Sequence, residues 1–307
     1  MNNFYFIPDD TDENTRLDNY LCNSFEDISR SQMQTLIKDG KALVNGVPKK
    51  SGYKLRAGDK VELAVEDKQP DVIKPQNIPL SIVYEDENML VVNKPSGMLT
   101  HPTQLEREDT LVNALLFKYG ENLSDINGYF RRGILHRLDR NTSGLLMVAK
   151  NNKAHEFLTD QIKAKTAIRQ YLTIVKGSFP KESGVINLPI GRHPTQPHKM
   201  AVVEGAKTSI TEYRVLNRFP ENTYLELTLK TGRTHQIRVH MSHLFHPIVN
   251  DSLYGGGQMK AKTQEQVLQA YKLSFAKPFS RHIIELEIEP DEKIVKILNY
   301  LTCKKEQ

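Results

Sequence analysis

The densest run of reactive side chains is HRLDRNTSG, residues 136–144. Asp139 is its only acid, set between Arg137 and Arg140, with His136 before it and Asn141, Thr142 and Ser143 behind. Neighbouring cations favour the ionised carboxylate, which suits a nucleophile or an electrostatic anchor and not a proton donor. The same residues also fit a plainer role, in which Asp139 pairs with an arginine or closes a turn with Thr142. A second run, KTGRTHQIRVHMSHLFHPIVND, holds His235, His240, His243 and His246 within twelve residues. Four histidines suggest a metal, but no cysteine, no HExxH spacing and no carboxylate before Asp251 accompanies them, so no metal site is expected. Tyr171, in the apolar run IRQYLTIVKG, reads on its own as a half-buried strand residue. His101 and His136 have the right chemistry for bases, yet structural hydrogen bonding is the expectation for both.

Positioning these groups requires a scaffold, and the pattern from about residue 80 supplies one. SIVYEDENMLVVNKP reads as two strands around a turn, and TLVNALLFKYG as a helix capped by Asp109 with Leu111, Ala114 and Leu115 inward. GLLMVAK, directly after the Asp139 segment, is a continuous apolar run of the kind found in a central strand covered on both faces. A helix capped by Asn151 follows, with Ala154, Phe157, Leu158 and Ile162 on one side. Later strands alternate, Leu225, Leu227 and Leu229 against Glu226, Thr228 and Lys230, then Ile284, Leu286 and Ile288 against Glu285 and Glu287. A last helix presents Ile294, Ile297, Leu298 and Leu301. Many alternating strands with few intervening helices favour an α+β fold with a mixed, largely antiparallel central sheet. No glycine-rich phosphate loop or P-loop lysine motif occurs, which argues against a nucleotide-binding doubly wound fold.

Residues 14–70 read as a separate small α/β module. Arg16, Leu17, Tyr20 and Leu21 recur at helical spacing with Asp12 or Thr15 as a cap, and Met33, Leu36 and Ile37 form a second helix ended by Gly40. ALVNG and KVELAV follow as short strands. Proline-bearing residues 71–79 read as a linker and 80–307 as the main domain, in keeping with about 150 residues per domain for a chain of 307. Residues 1–27 carry seven acids against one arginine, net −6, whereas residues 28–60 carry eight basic residues against two acids, net +6. A short basic block in a chain of net charge +5 points to a polyanion partner, with Arg30, Lys38 and Lys41 at its centre. No stretch approaches the apolar length of a membrane span, and the first residues lack the basic-then-apolar form of a signal peptide. Cys22 and Cys303 are too few for a disulfide framework, so a reducing, cytoplasmic setting is expected.

The HRLDRNTSG segment resembles the catalytic motif of the RluA family of RNA pseudouridine synthases. Asn93-Lys94-Pro95-Ser96-Gly97 with His101-Pro102 resembles that family's first motif, IRQYLTIVKG its tyrosine-bearing strand, and LKTGRTHQIRVHMSHLFHPIVND with Leu253-Tyr254-Gly255 its late arginine motif. AYKLSFAKP completes the series in the expected order. RLDNYL and ISRSQMQTLIKDGKALVNG resemble the RNA-binding domain named after ribosomal small-subunit protein four, an arrangement similar to the ribosomal-RNA-modifying branch typified by RluD. The resemblance implies isomerisation of an RNA uridine to pseudouridine without metal or organic cofactor. It implies Asp139 as catalytic aspartate, Tyr171 as the ring stacked on the target uracil, and Arg238 as the arginine paired with the aspartate. It puts forward Arg137, Arg140, Thr142, Arg233 and His235 as substrate-binding residues. RNA is the implied partner, ribosomal RNA ahead of transfer RNA, and a monomer is the default. Two positions depart from the family pattern: Arg169 stands where lysine is usual and Asn250 where glycine is usual. Two other functions compete. A non-catalytic RNA-binding or ribosome-assembly factor would have no reason to keep Asp139, Tyr171 and Arg238 together, and a glycosidase or hydrolase would want a second carboxylate that HRLDRNTSG lacks.

Overall fold

The computed structural model describes residues 2–24, 30–65, 73–103, 106–196, 199–259 and 265–305, and it separates into two compact units, Met1–Val72 and Ile73–Gln307. In the first unit β1 (Asn2–Phe6), α1 (Leu17–Asn23), α2 (Arg30–Lys38), β2 (Ala42–Val44), β3 (Val47–Pro48) and β4 (Val61–Val65) form an antiparallel sheet of order β1-β4-β2-β3 with two helices. Asn45 and Gly46 join β2 to β3 with φ of +53° and +75°, the two left-handed residues that a tight hairpin needs. Leu17 and Leu21 of α1, Met33 and Ile37 of α2, and Val44, Val61 and Leu63 of the sheet make the core.

Two expectations change here. α1 has Arg16 as its N-cap, with no side-chain capping bond, and neither Asp12 nor Thr15 takes that place. Arg16 instead forks onto the buried Asp18 at 3.0 and 2.9 Å, while Gln34 donates to the same carboxylate at 2.7 Å. The unit also begins earlier than residue 14, because Asn2–Phe6 adds an edge strand to β4. Lys38, Lys50, Lys54, Arg56 and Lys60 are exposed, whereas the side chain of Arg30 lies outside the described residues.

The second unit is built on one large sheet. Its elements are β5 (Ile82–Glu85), β6 (Met89–Lys94), α3 (Leu111–Tyr119), β7 (Ser143–Ala149), α4 (Asn152–Ala164), β8 (Ile168–Lys176) and β9 (Ser183–Asn187). β10 (Ile190–Arg192), β11 (Met200–Val202), β12 (Ile210–Phe219), β13 (Asn222–Leu229), α5 (Gln236–His243), β14 (Leu268–Ala276), β15 (Ile283–Glu287) and α6 (Glu292–Lys305) follow. The sheet order is β5-β6-β7-β14-β8-β13-β12-β9, with β15 also on β14, and β10 pairs with β11 apart from it. Among these pairings only β7 with β14 is parallel, so the sheet is mixed and largely antiparallel within an α+β fold.

β7 is buried at every residue, as a strand covered on both faces must be. Its entry is close-packed: Gly144 has φ +115°, and a Cβ there would lie 2.1 Å from the Ala270 carbonyl oxygen of β14. One face carries α3 and the Ile294, Ile297 and Leu301 ridge of α6, and the other carries Leu158 of α4. The N-cap of α3 is Thr110, in a reciprocal box with Asn113, and not Asp109, which sits at φ +57°. β13 does not alternate as its sequence suggests, because Glu226 is buried too, paired with Arg214 and hydrogen-bonded by the Tyr271 hydroxyl. Ile73 is buried in the core of this unit and Gln76 donates its backbone N–H to the Asn113 carbonyl, so residues 73–79, read above as linker, belong to it. Among the described residues no helix is long and apolar enough to cross a membrane.

Candidate active site

Asp139 stands in an irregular loop between Leu138 and β7, and side chains from distant segments fix that loop by its backbone. Thr100 Oγ1 donates to the Leu138 carbonyl at 2.8 Å and accepts from its N–H at 3.2 Å. Lys94 Nζ, fully buried, donates to the carbonyls of Pro95, Met98 and Arg140 at 2.8, 2.8 and 3.0 Å. Ser96 and Lys293 both donate to the Asn141 carbonyl at 2.9 Å, and Gln266 donates to the Thr142 hydroxyl at 2.8 Å. The Thr142 N–H closes the turn on the Asp139 carbonyl at 3.0 Å. A loop without secondary structure is thereby held almost carbonyl by carbonyl. Burial, helped by the charge of Lys293, brings the Lys94 pKa down to about 7.

The Asp139 carboxylate opens into a cavity of about 510 Å³ whose walls come from the Asp139 loop, the end of α4, β8 and the segment 229–238. Arg238, in the first turn of α5, donates from Nη1 to Asp139 Oδ2 at 3.2 Å. Its firmer partner is Asp251, which takes Nε at 2.7 Å and Nη2 at 2.9 Å in a bidentate fork. Burial opposes the Arg238 charge, but the hydrogen bonds and charges of Asp251 and Asp139 outweigh it and hold the pKa above the usual arginine value. The sequence reading assigned nothing to Asp251. Asn250 explains the departure noted above: its φ is +63°, and asparagine is among the few residues besides glycine that tolerate the left-handed region.

Tyr254 completes this side, its ring under the Arg238 guanidinium at 5.0 Å and its hydroxyl 2.8 Å from His235 Nδ1. The same hydroxyl accepts the Met200 N–H at 2.9 Å. His235 Nε2 lies 3.9 Å from Asp139, too far for a hydrogen bond. Burial lowers the His235 pKa despite the Asp139 charge, so the ring is neutral near pH 7.

Tyr171 lies in β8 opposite Leu227 and Ala270, 4% exposed, and its ring lines the cavity. Burial raises its hydroxyl pKa, with Arg169 pulling the other way. Arg137 and Arg233 line the cavity as exposed cations, Arg233 tied to the Thr208 carbonyl at 3.3 Å. Thr142 lines it too, with its hydroxyl engaged by Gln266. Arg140 is not brought there; its guanidinium pairs with Glu106, and its carbonyl takes the Lys94 bond. His240 is buried against Thr211 and the Leu188 carbonyl, and His246 contacts the Lys176 carbonyl, so the histidine-rich run disperses into separate structural contacts. Among the described residues no three His, Cys, Asp or Glu side chains converge as a metal site would.

The sequence matches the family described as RNA pseudouridylate synthase over residues 88–243 and the S4 domain over residues 15–61. It is 39% identical over 301 residues, 98% of this chain and 99% of the other, to a Bacillus subtilis (strain 168) protein named uncharacterized RNA pseudouridine synthase YlyB. It is 39% identical over 298 residues, 93% of this chain and 88% of the other, to ribosomal large subunit pseudouridine synthase D of Xanthomonas campestris pv. campestris. Among solved structures, human RNA pseudouridylate synthase domain containing 1 superposes with a TM-score of 0.54 at 26% identity, covering 73% of this chain and 96% of that one. With the Asp139–Arg238 pair and Tyr171 sharing one cavity in that fold, the chain belongs to the RNA pseudouridine synthase family, as an enzyme with an N-terminal S4 RNA-binding domain.

Proposed function

We propose that this enzyme isomerises specific uridines of large-subunit ribosomal RNA, with Asp139 as nucleophile and Tyr171 as the platform for the flipped-out base. The observation that carries the reading is a single unspent carboxylate in the cavity. Asp139 is 17% exposed and has one Arg238 bond, while both oxygens of Asp251 are taken by the same guanidinium. One free carboxylate suits attack on an anomeric carbon and leaves no second acid for the paired chemistry of a glycosidase. Arg238, locked on Asp251, holds the Asp139 carboxylate in place through its Nη1 bond.

The reaction needs no net oxidation, reduction or water. The C1′–N1 bond breaks with its electron pair kept by the base while an Asp139 oxygen bonds C1′. The base turns on the Tyr171 ring, C5 attacks C1′ and displaces the carboxylate, and the C5 proton is lost while N1 gains one. A walled cavity keeps water from C1′ between those steps. The exposed lysines of the S4 module, together with Arg137 and Arg233 at the cavity, supply cations for RNA phosphates. A chain with two cysteines, far apart in sequence, suits a reducing cytoplasm, and a monomer has all the named side chains in one chain. Pseudouridine mapping of total RNA from a deletion strain beside its parent tests this reading. Loss of one or a few large-subunit positions, restored by the parental gene and not by Asp139→Asn, is expected; an unchanged map overturns it.

A further inference from the structure

One cation of the cavity has no part in that scheme. Arg169 precedes Tyr171 by two residues on β8, so the two side chains leave the same face of the strand. It is 6% exposed, lines the cavity, and its side chain has no hydrogen bond or ion pair among the described residues; its Nε is buried without a partner. Its Nη1 lies close to Gly232, where an added Cβ would come within 3.0 Å, so the guanidinium is confined against backbone. A guanidinium is always cationic and carries five donors. A buried charge without a counter-charge is costly, and folded chains pair such groups. Among the described residues nothing pairs this one.

A second donor stands beside it. His136 Nε2 accepts the Met147 N–H at 3.2 Å, which assigns the ring proton of the neutral form to Nδ1, and Nδ1 is also buried without a partner. Burial, with Arg169 next, brings the His136 pKa down to about 3, so the ring remains neutral and Nδ1 a donor through the working range of pH. Arg169 and His136 thus bring unpartnered N–H groups to the Tyr171 end of the cavity, with Leu229 and Leu268 as apolar neighbours.

We propose that Arg169, assisted by His136, is a catalytic residue that binds the carbonyl oxygens of the target uracil and stabilises the negative charge the base acquires on leaving. The proposal rests on the reading of Tyr171 as the platform for that base. When C1′–N1 breaks, the pair left on N1 delocalises onto O2 and O4, oxygens that are weak acceptors in the neutral ring and strong ones in the anion. A fixed guanidinium therefore binds the departing base more tightly than the ground-state nucleotide, which is the condition for raising kcat and not merely affinity. A position walled by the buried Arg169, Tyr171 and Leu268 suits a planar base better than a phosphate, whose hydration favours the exposed Arg137, Arg233 and Lys165.

The test uses Arg169→Met and Arg169→Lys in the full chain, with total RNA from the deletion strain as substrate and the parent enzyme alongside. The expected result is a single-turnover rate for Arg169→Met lower on the order of 100-fold at saturating enzyme. RNA affinity should stay within about threefold, the melting temperature should be no lower than the parent's, and Arg169→Lys should recover most of the rate. A parental saturated rate with weaker RNA binding and a salt slope lower by about one would assign Arg169 to a phosphate and overturn the proposal. A rate loss that follows a lower melting temperature and is not restored by lysine would make Arg169 a packing residue and overturn it as well. If the parent enzyme forms no pseudouridine in that RNA, the proposed function falls first and this inference falls with it.

Discussion

Removing the Arg238 guanidinium should cost stability mainly through Asp251, not through Asp139. Arg238→Met keeps the length and apolar stem of the side chain but deletes three hydrogen bonds, two of them a fork onto a carboxylate whose side chain is 1% exposed. Among the described residues the Asp251 carboxylate would be left with the Tyr254 N–H at 3.3 Å as its donor, while Asp139, 17% exposed, can still draw on water. Breaking one partner out of a buried pair costs about 3–5 kcal/mol. For a unit of this size, with about 2–4 °C per kcal/mol, the melting temperature should fall by roughly 6–20 °C. The chain has no tryptophan, so calorimetry is the suitable readout, following the transition of residues 73–307. Asp251→Asn should lower both stability and single-turnover rate although it touches no substrate, and Arg238→Met/Asp251→Leu should regain stability over either single change without regaining activity. An Arg238→Met variant that melts within about 2 °C of the parent, or an Asp251→Asn variant with parental rate, would refute this reasoning.

Asp139→Asn is nearly isosteric and should abolish turnover while leaving the melting temperature and RNA affinity close to parental; turnover above background in a purified sample would remove Asp139 as nucleophile. Tyr171→Phe keeps the stacking face and should bind RNA like the parent but turn over far more slowly, whereas Tyr171→Leu should lose about 1–3 kcal/mol of binding as well; a parental rate for Tyr171→Phe would reduce the tyrosine to a platform. Neutralising Arg30, Lys38 and Lys41 together should flatten the salt dependence of RNA binding by about 0.7–0.9 per lost phosphate contact and leave the saturated single-turnover rate unchanged; an unaltered slope would make the basic block a solvated face. Burial holds the pKa of His101 at about 4, with Arg137 adding to the effect, and that of His136 at about 3, so between pH 6.5 and about 4 the unfolded chain takes up protons that the folded chain refuses. Stability must then fall as pH drops, with a slope approaching about 2.7 kcal/mol per pH unit from the two rings, and His136→Asn should roughly halve it in acid-unfolding titrations.

What the sequence made legible is what depends on near neighbours. The apolar run of β7, the Asn151 cap of α4 and the hydrophobic faces of α3, α4 and α6 follow from local periodicity, and each lies where that periodicity puts it. The misread details are those where two adjacent residues compete for one role. Thr110 takes the cap from Asp109 because Asn113 answers it three residues on, a reciprocal pairing that the type of a single residue does not reveal. Asn2–Phe6 becomes a strand only because β4 offers it an edge, and no property of five N-terminal residues encodes that edge. Asp251 was hidden for a related reason: its importance lies in the turn that Asn250 permits, which brings it back onto an arginine thirteen residues earlier.

The residues of the first motif do not line the cavity. Lys94, Ser96 and Thr100 spend their hydrogen bonds on the carbonyls of Arg140, Asn141 and Leu138, the three residues that flank Asp139 before and after. Lys293 reaches the Asn141 carbonyl from the first turn of α6, and Asp291 accepts the Ser143 hydroxyl while capping that helix at the Ile294 N–H. Each donor replaces a strand or helix bond that an irregular loop does not have. A carboxylate on a regular element would be positioned by its own backbone ladder; Asp139 is positioned by side chains drawn from residues 94 to 293. That is why HRLDRNTSG, read alone, resembles an ion-paired turn as much as an active site. Its identity resides in what holds it.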